Sequence, residues 1–112
     1  MMALSAEQIA QFREEGYVVV RGAVPPATIK RLTDEIDGWI EESRGHAKNY
    51  GETVNGKARF DLEAGHSAAN PRLRRVANPV DISAAYREVL WDGEIPDLMT
   101  QLIGPDVKFH HC

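Results

Sequence analysis

Apolar positions recur along this chain with two different periods, and the alternation between them lays out its elements. Ser5 can cap a helix and Gln8 completes a capping box, while Leu4 and Ile9 have the spacing of a hydrophobic staple. Ile9 and Phe12 form the stripe of that first helix, and Gly16 is a natural stop. Residues 17–20 are aromatic and β-branched, which predicts a strand. Because that run is continuously apolar, cover on both faces is expected. Pro25 and Pro26 open a second helix, where a missing N–H costs nothing. Its stripe is Ile29, Leu32, Ile36, Trp39 and Ile40. Lys30, Arg31, Asp34, Glu35, Glu41 and Glu42 mostly lie off that face, and Gly45 marks the end.

Residues 45–70 lose the periodicity. Gly, Asn, Ser and His are frequent there, which predicts a long loop with one short strand over residues 58–62. Pro71 opens a second extended piece over residues 72–76, with Leu73 and Arg75 on one face and Arg74 and Val76 on the other. Asn78-Pro79 ends it. Asp81 or Ser83 caps a third helix with Ile82, Ala85, Tyr86, Val89 and Leu90 as its stripe. A fourth helix carries Ile95, Leu98, Met99, Leu102 and Ile103, and Gly104-Pro105 stops it. Residues 107–112 alternate as a strand, with Val107, Phe109 and His111 sharing a face. That pattern runs to Cys112 with neither a turn signal nor a polar tail. The expectation is therefore an incomplete domain over residues 1–112, an α+β piece cut within a strand.

Composition narrows the classes of function. With 112 residues, 43% hydrophobic and 27% charged, the chain reads as soluble and globular. A net charge of -4 argues against nucleic acid as a partner, because phosphate binding wants a basic patch. The one dense basic stretch is Arg72, Arg74 and Arg75. No apolar run approaches a membrane span, and the opening residues lack the basic and apolar regions of a signal peptide. A lone Cys112 cannot form an internal disulfide, so a reducing, cytoplasmic setting is expected.

Candidate chemistry is sparse. A non-haem iron oxygenase takes two histidines and a carboxylate on one face of the metal. Its usual sign is His-x-Asp or His-x-Glu, and neither His46, His66 nor the His110-His111-Cys112 run has it. A zinc finger needs a second cysteine, and adjacent strand residues such as His110 and His111 point to opposite faces. No base is placed to activate Cys112, and Gly51, Gly56 and Gly65 are scattered rather than grouped as a phosphate loop. The paired carboxylates Glu14-Glu15 and Glu41-Glu42 sit on helix surfaces. From the residues alone, no metal ligand or catalytic residue is assigned.

Four segments, in this order, resemble the phytanoyl-CoA dioxygenase family of iron- and 2-oxoglutarate-dependent oxygenases. They are LSAEQIAQFREEGYVVVRG at 4–22, the amphipathic helix from Ile29, LRRVANP at 73–79 and LIGPDVKFHH at 102–111. The resemblance implies the N-terminal helices and first strands of a double-stranded β-helix, or jelly-roll. The family's His-x-Asp and distal histidine, which hold Fe(II), correspond to no residue here. In the complete enzyme, Fe(II) and 2-oxoglutarate would serve the hydroxylation of a small-molecule substrate, and the 112-residue chain is expected to bind neither cofactor tightly. Two positions match the family's cosubstrate site. Arg75 matches a Lys or Arg that reaches 2-oxoglutarate, since a dianion in a partly dry pocket needs cationic donors. His111 matches a histidine on the inward face of an early barrel strand. The competing readings are a surface strand arginine and a satisfied interior histidine. Arg74 is expected to serve as a structural ion-pair partner. The rival function is a small non-catalytic helical binding module or the remnant of a truncated gene. Self-association is expected of the 112-residue chain, because its apolar stripes exceed the strands available to cover them.

Overall fold

In the computed structural model, residues 2–112 are described. Four α-helices accompany a two-stranded antiparallel ribbon: α1 (Ala6–Glu15), α2 (Pro26–Ser43), β1 (Phe60–Leu62), β2 (Leu73–Val76), a 3-10 turn (Pro79–Asp81), α3 (Ala84–Trp91) and α4 (Glu94–Ile103). Among the described residues no helix is long and apolar enough to cross a membrane.

The helix ends follow local chemistry. The Ser5 hydroxyl accepts from the Gln8 N–H and the Gln8 side chain accepts from the Ser5 N–H, closing the capping box. Gly16 takes φ 81°, so its N–H turns back to the Phe12 carbonyl without a Cβ penalty. Ser83 caps α3 by accepting from the Tyr86 N–H, and its own hydroxyl donates to Glu35 of α2 at 2.8 Å. One serine thus starts a helix and ties it to its neighbour.

Packing runs in a chain from α2 to α3, from α3 to α4 and from α4 back to α1. The segment before α1 is held by α4: Leu4 N–H donates to Gln101, whose amide donates to the Met2 carbonyl. The core is small. Its buried apolar side chains are Trp39, Phe60, Ala85 and Leu98. It is organised by a column of rings: His46 on Tyr50 at 3.5 Å between centroids, Tyr50 on Phe60 at 4.6 Å, Phe60 edge-on to Trp39 at 6.2 Å, and Trp39 on Tyr86 at 5.7 Å. That column joins the ribbon to α2 and α3.

Much apolar surface stays uncovered. The accessible surface is 7845 Å², against roughly 6,200 Å² for a compact monomer of this mass. The radius of gyration is 17.3 Å, against about 13 Å for a compact chain of this length. The predicted stripes are only partly used. Ile29 and Ile36 of α2 remain 50% and 41% exposed, and Ile103 of α4 remains 63% exposed.

Two predicted strands do not form. Residues 17–20 and 107–112 belong to no regular element. Val18 and Val20 are half-buried, whereas Tyr17 and Val19 are exposed, so the expected two-sided cover is absent. A strand exists only when a neighbour takes up its backbone groups, and no described segment pairs with either run as a ladder. The loop over residues 45–70 is also more ordered than its composition suggests. Tyr50 and Phe60 form an antiparallel bridge around a turn at residues 53–57. Gly51 makes this possible: at φ 74° it lies so close to the Phe60 ring that a Cβ would sit 3.0 Å from it.

Candidate functional site

The residues of interest gather on and beside the β1–β2 ribbon. Register places Asp61 opposite Arg75, then Leu62 opposite Leu73, so Arg74 is the extra residue of a bulge. The bulge breaks the alternation expected for this strand. Leu73 and Val76 are half-buried, and Arg74 and Arg75 are both exposed. The ion pair expected of Arg74 falls instead to Arg75, whose Nε donates to Asp61 Oδ2 at 2.8 Å while Nη2 also closes on that oxygen. The Asp61 side chain is only 14% exposed and that of Arg75 is 62% exposed. The carboxylate thus holds the guanidinium by its Nε–Nη2 edge, and Nη1 takes no part in the pair.

Behind the ribbon sits a residue that sequence reasoning missed. Arg59 is 7% exposed, and its guanidinium meets four acceptors. Nη1 donates to the Ala77 carbonyl at 2.9 Å, the Asn78 carbonyl at 3.1 Å and Asp81 Oδ2 at 3.2 Å; Nη2 donates to the Glu52 carbonyl at 3.1 Å. A planar fork reaches all four at once, which a lysine could not do. Arg59 therefore pins the 53–57 turn, the exit of β2 and the 3-10 turn to one another. The only hint of it in sequence is its place beside Phe60 in the short predicted strand.

Asn78, at the exit of β2, adopts φ 47°, a left-handed conformation that asparagine tolerates better than most residues. It grips the chain at Cys112 by both groups: its N–H donates to the Cys112 carbonyl at 2.6 Å and its Oδ1 accepts from the Cys112 N–H at 3.0 Å. The approach to that clamp, residues 107–111, forms no strand. Phe109 packs edge-on to Trp91 at 6.3 Å, and His111 is exposed with its Nδ1 against Nδ1 of His110. Val107, Phe109 and His111 thus share no buried face. Arg75 is held by Asp61 and His111 rests on His110, and the two share no hydrogen-bond partner.

The remaining histidines have other duties. His46 stacks on Tyr50, and the His66 ring bonds backbone groups at three points. Among the described residues no three His, Cys, Asp or Glu side chains are grouped to hold a metal ion. Burial, with Glu42 nearby, pushes the Tyr50 hydroxyl above its ordinary value of 10.0. A cleft of about 420 Å³ lies apart from the ribbon, between α2 and the α3–α4 junction, and is crossed by the exposed Arg31–Glu88 pair. Compared with known proteins, the chain matches no family model, no curated protein and no solved structure.

Proposed function

We propose that this chain is the N-terminal part of an iron- and 2-oxoglutarate-dependent dioxygenase resembling the phytanoyl-CoA dioxygenase family. The observation that carries the reading is the ordered succession of its four matching segments, from LSAEQIAQFREEGYVVVRG to LIGPDVKFHH. The partly exposed stripes of α2 and α4 support it, because helices of this kind are made to lie on a sheet larger than the β1–β2 ribbon. In this reading the domain belongs to a jelly-roll whose iron ligands lie outside residues 1–112, and no step is assigned to the metal here. Iron and 2-oxoglutarate would supply the oxidising chemistry when bound, and a small-molecule substrate would be hydroxylated. The exposed and unpaired Cys112 fits a reducing, cytoplasmic setting.

Arg75 is the residue of this chain that would hold a 2-oxoglutarate carboxylate. Its guanidinium is anchored through Nε and Nη2 to Asp61, and Nη1 stays available for a second anion. His111, whose imidazole is exposed, is the second proposed cosubstrate contact.

The coding DNA beyond Cys112 tests this first. A His-x-Asp codon pattern in frame, or after a frameshift, within a few tens of codons is expected, and its absence in every frame favours a non-catalytic binding module. In the enzyme so extended, Arg75→Ala should raise the 2-oxoglutarate concentration for half-maximal succinate release at least about tenfold, the loss of one charge-assisted contact. Asp61→Asn should raise it less, since the charge remains and only its anchor goes. An unchanged requirement in Arg75→Ala makes Arg75 a surface arginine. The 112-residue chain supplied with Fe(II), oxygen and 2-oxoglutarate should release no succinate above background, and turnover by it refutes the assignment.

A further inference from the structure

The turn at residues 53–57 carries an Asn-Gly step, Asn55-Gly56. In such a step the backbone nitrogen of the glycine can attack the preceding side-chain amide, because no Cβ obstructs the approach. The other asparagines are closed to that reaction. Asn70 and Asn78 each precede proline, whose nitrogen has no proton to lose. Asn49 precedes the bulky Tyr50, its Oδ1 accepts the Leu62 N–H at 2.8 Å, and the Tyr50 N–H is bonded to the Phe60 carbonyl at 3.1 Å. Among the Asp-Gly steps, Asp37-Gly38 is held inside α2, and Asp92-Gly93 offers an ionised carboxylate, a far weaker electrophile than an amide. Asn55, by contrast, is exposed, and its side chain makes no hydrogen bond among the described residues. Gly56 lies at φ 74°, and a Cβ placed on it would meet only Glu52 Oε1, at 3.9 Å, so its nitrogen is uncrowded. Three bonds close the turn. The Gly56 N–H donates to the Thr53 carbonyl at 2.9 Å, and the Thr53 N–H and hydroxyl donate to the Lys57 carbonyl at 2.9 and 3.0 Å.

We propose that Asn55 is a site of spontaneous modification, converted to isoaspartate and aspartate by attack of the Gly56 nitrogen when the 53–57 turn opens. The closed turn withholds the nucleophile, because the Gly56 N–H is engaged with Thr53. Once the turn opens, the Gly56 nitrogen gives its proton to water and bonds to Asn55 Cγ. The Cγ–Nδ2 bond breaks, and Nδ2 takes up a proton and leaves as ammonia. A five-membered cyclic imide remains, and water opens it on one of two sides. Addition at Cγ restores the ordinary backbone and leaves aspartate. Addition at the main-chain carbonyl leaves isoaspartate, in which the backbone runs through the former side chain. Water is the only co-reactant, and no electrons change hands. Isoaspartate lengthens the turn by one methylene, so the three bonds that close it no longer meet in register. Glu52, the next residue back, lends its carbonyl to Arg59 Nη2, so the change adjoins one of the acceptors of that guanidinium. The site rests on the turn alone and is independent of the dioxygenase reading.

The test is to incubate the whole 112-residue chain at physiological temperature and pH and follow it by tryptic mass spectrometry. Cleavage after Lys48 and Lys57 releases residues 49–57, in which fragment ions separate Asn49 from Asn55 and isoaspartate from aspartate. Conversion should appear first at residue 55, with isoaspartate the larger product, while Asn49, Asn70 and Asn78 remain amides. Asn55→Gln should leave the segment unconverted, because its longer side chain closes a six-membered imide far more slowly. Thr53→Val removes the hydroxyl bond to Lys57 and should speed both hydrogen exchange at the Gly56 amide and conversion of Asn55 by about fivefold, the weight of one hydrogen bond. Conversion of Asn49, Asn70 or Asn78 ahead of Asn55 overturns the assignment. So does a Thr53→Val chain in which Gly56 exchange rises and conversion does not, or in which neither changes. Faster conversion without faster Gly56 exchange would place the attack in the closed turn and overturn the gating.

Discussion

Replacing Arg59 with methionine removes a buried cation while keeping most of its apolar stem. Four acceptors lose their donor: the carbonyls of Glu52, Ala77 and Asn78, and the Asp81 carboxylate. Glu52 and Asp81 are exposed and can turn to water; Ala77 and Asn78 are half-buried and cannot do so freely. Counting only those two, at about 1.5 kcal/mol for a hydrogen bond to a charged group, the substitution costs about 3 kcal/mol. That figure agrees with the usual cost of removing one partner from a buried charged cluster. A chain of 112 residues at the low end of natural stability has only about 6 kcal/mol in all, so half of it would be lost. Urea unfolding followed by the fluorescence of Trp39, which sits in the ring column, measures this directly. Arg59→Lys should fall between the two, because a single ammonium cannot span Glu52 on one side and Asp81 on the other. A methionine variant within about 1 kcal/mol of the parent, at an unchanged urea slope, would refute the clamp assigned to Arg59.

Ser5→Ala should cost about 1 kcal/mol and unprotect the Gln8 amide, measured by hydrogen exchange; an unchanged amide would remove the cap from the account. Gly16→Ala should destabilise by about 1 kcal/mol in the same urea assay, because φ 81° is strained for any residue with a Cβ. Burial and Glu42 raise Tyr50, and burial with Glu35 and Cys112 raises Tyr86, above the ordinary 10.0. The unfolded chain therefore loses these protons first. Stability should be intact below about pH 10 and fall as the pH climbs through the folded-state values, followed by tyrosinate absorbance alongside urea unfolding; a flat profile would contradict the burial. Sedimentation velocity of the 112-residue chain should show concentration-dependent self-association, given its excess of roughly 1,600 Å² over a compact monomer. A sharp monomer at every concentration would show that the exposed stripes of α2 and α4 are not adhesive.

Helices were legible in the sequence because their signals are local. Ser5 and Gln8 meet across one turn, Gly16 bends back to Phe12, and Ser83 reaches Tyr86, all within a few residues of chain. Hydrophobic spacing likewise located α2 and α4, with Trp39 and Leu98 as their buried members. Strand formation was decided elsewhere. The runs at 17–20 and 107–112 have strand-like composition, yet β structure requires a neighbour to pair its N–H and C=O groups, and among the described residues 60–62 and 73–76 find one another as strands, with a single further bridge from Tyr50 to Phe60. A bulge that no composition announces then left Arg74 and Arg75 both exposed and gave Asp61 to Arg75. The same holds for Arg59 and His66. In sequence each is a polar residue in an aperiodic stretch, and their roles arise because distant backbone groups converge on them: Glu52 with Ala77 and Asp81 in one case, Ser43 with His46 and Arg72 in the other. Backbone groups carry no side-chain signature, so the partners of a buried guanidinium or an imidazole become visible only once the chain has folded around them.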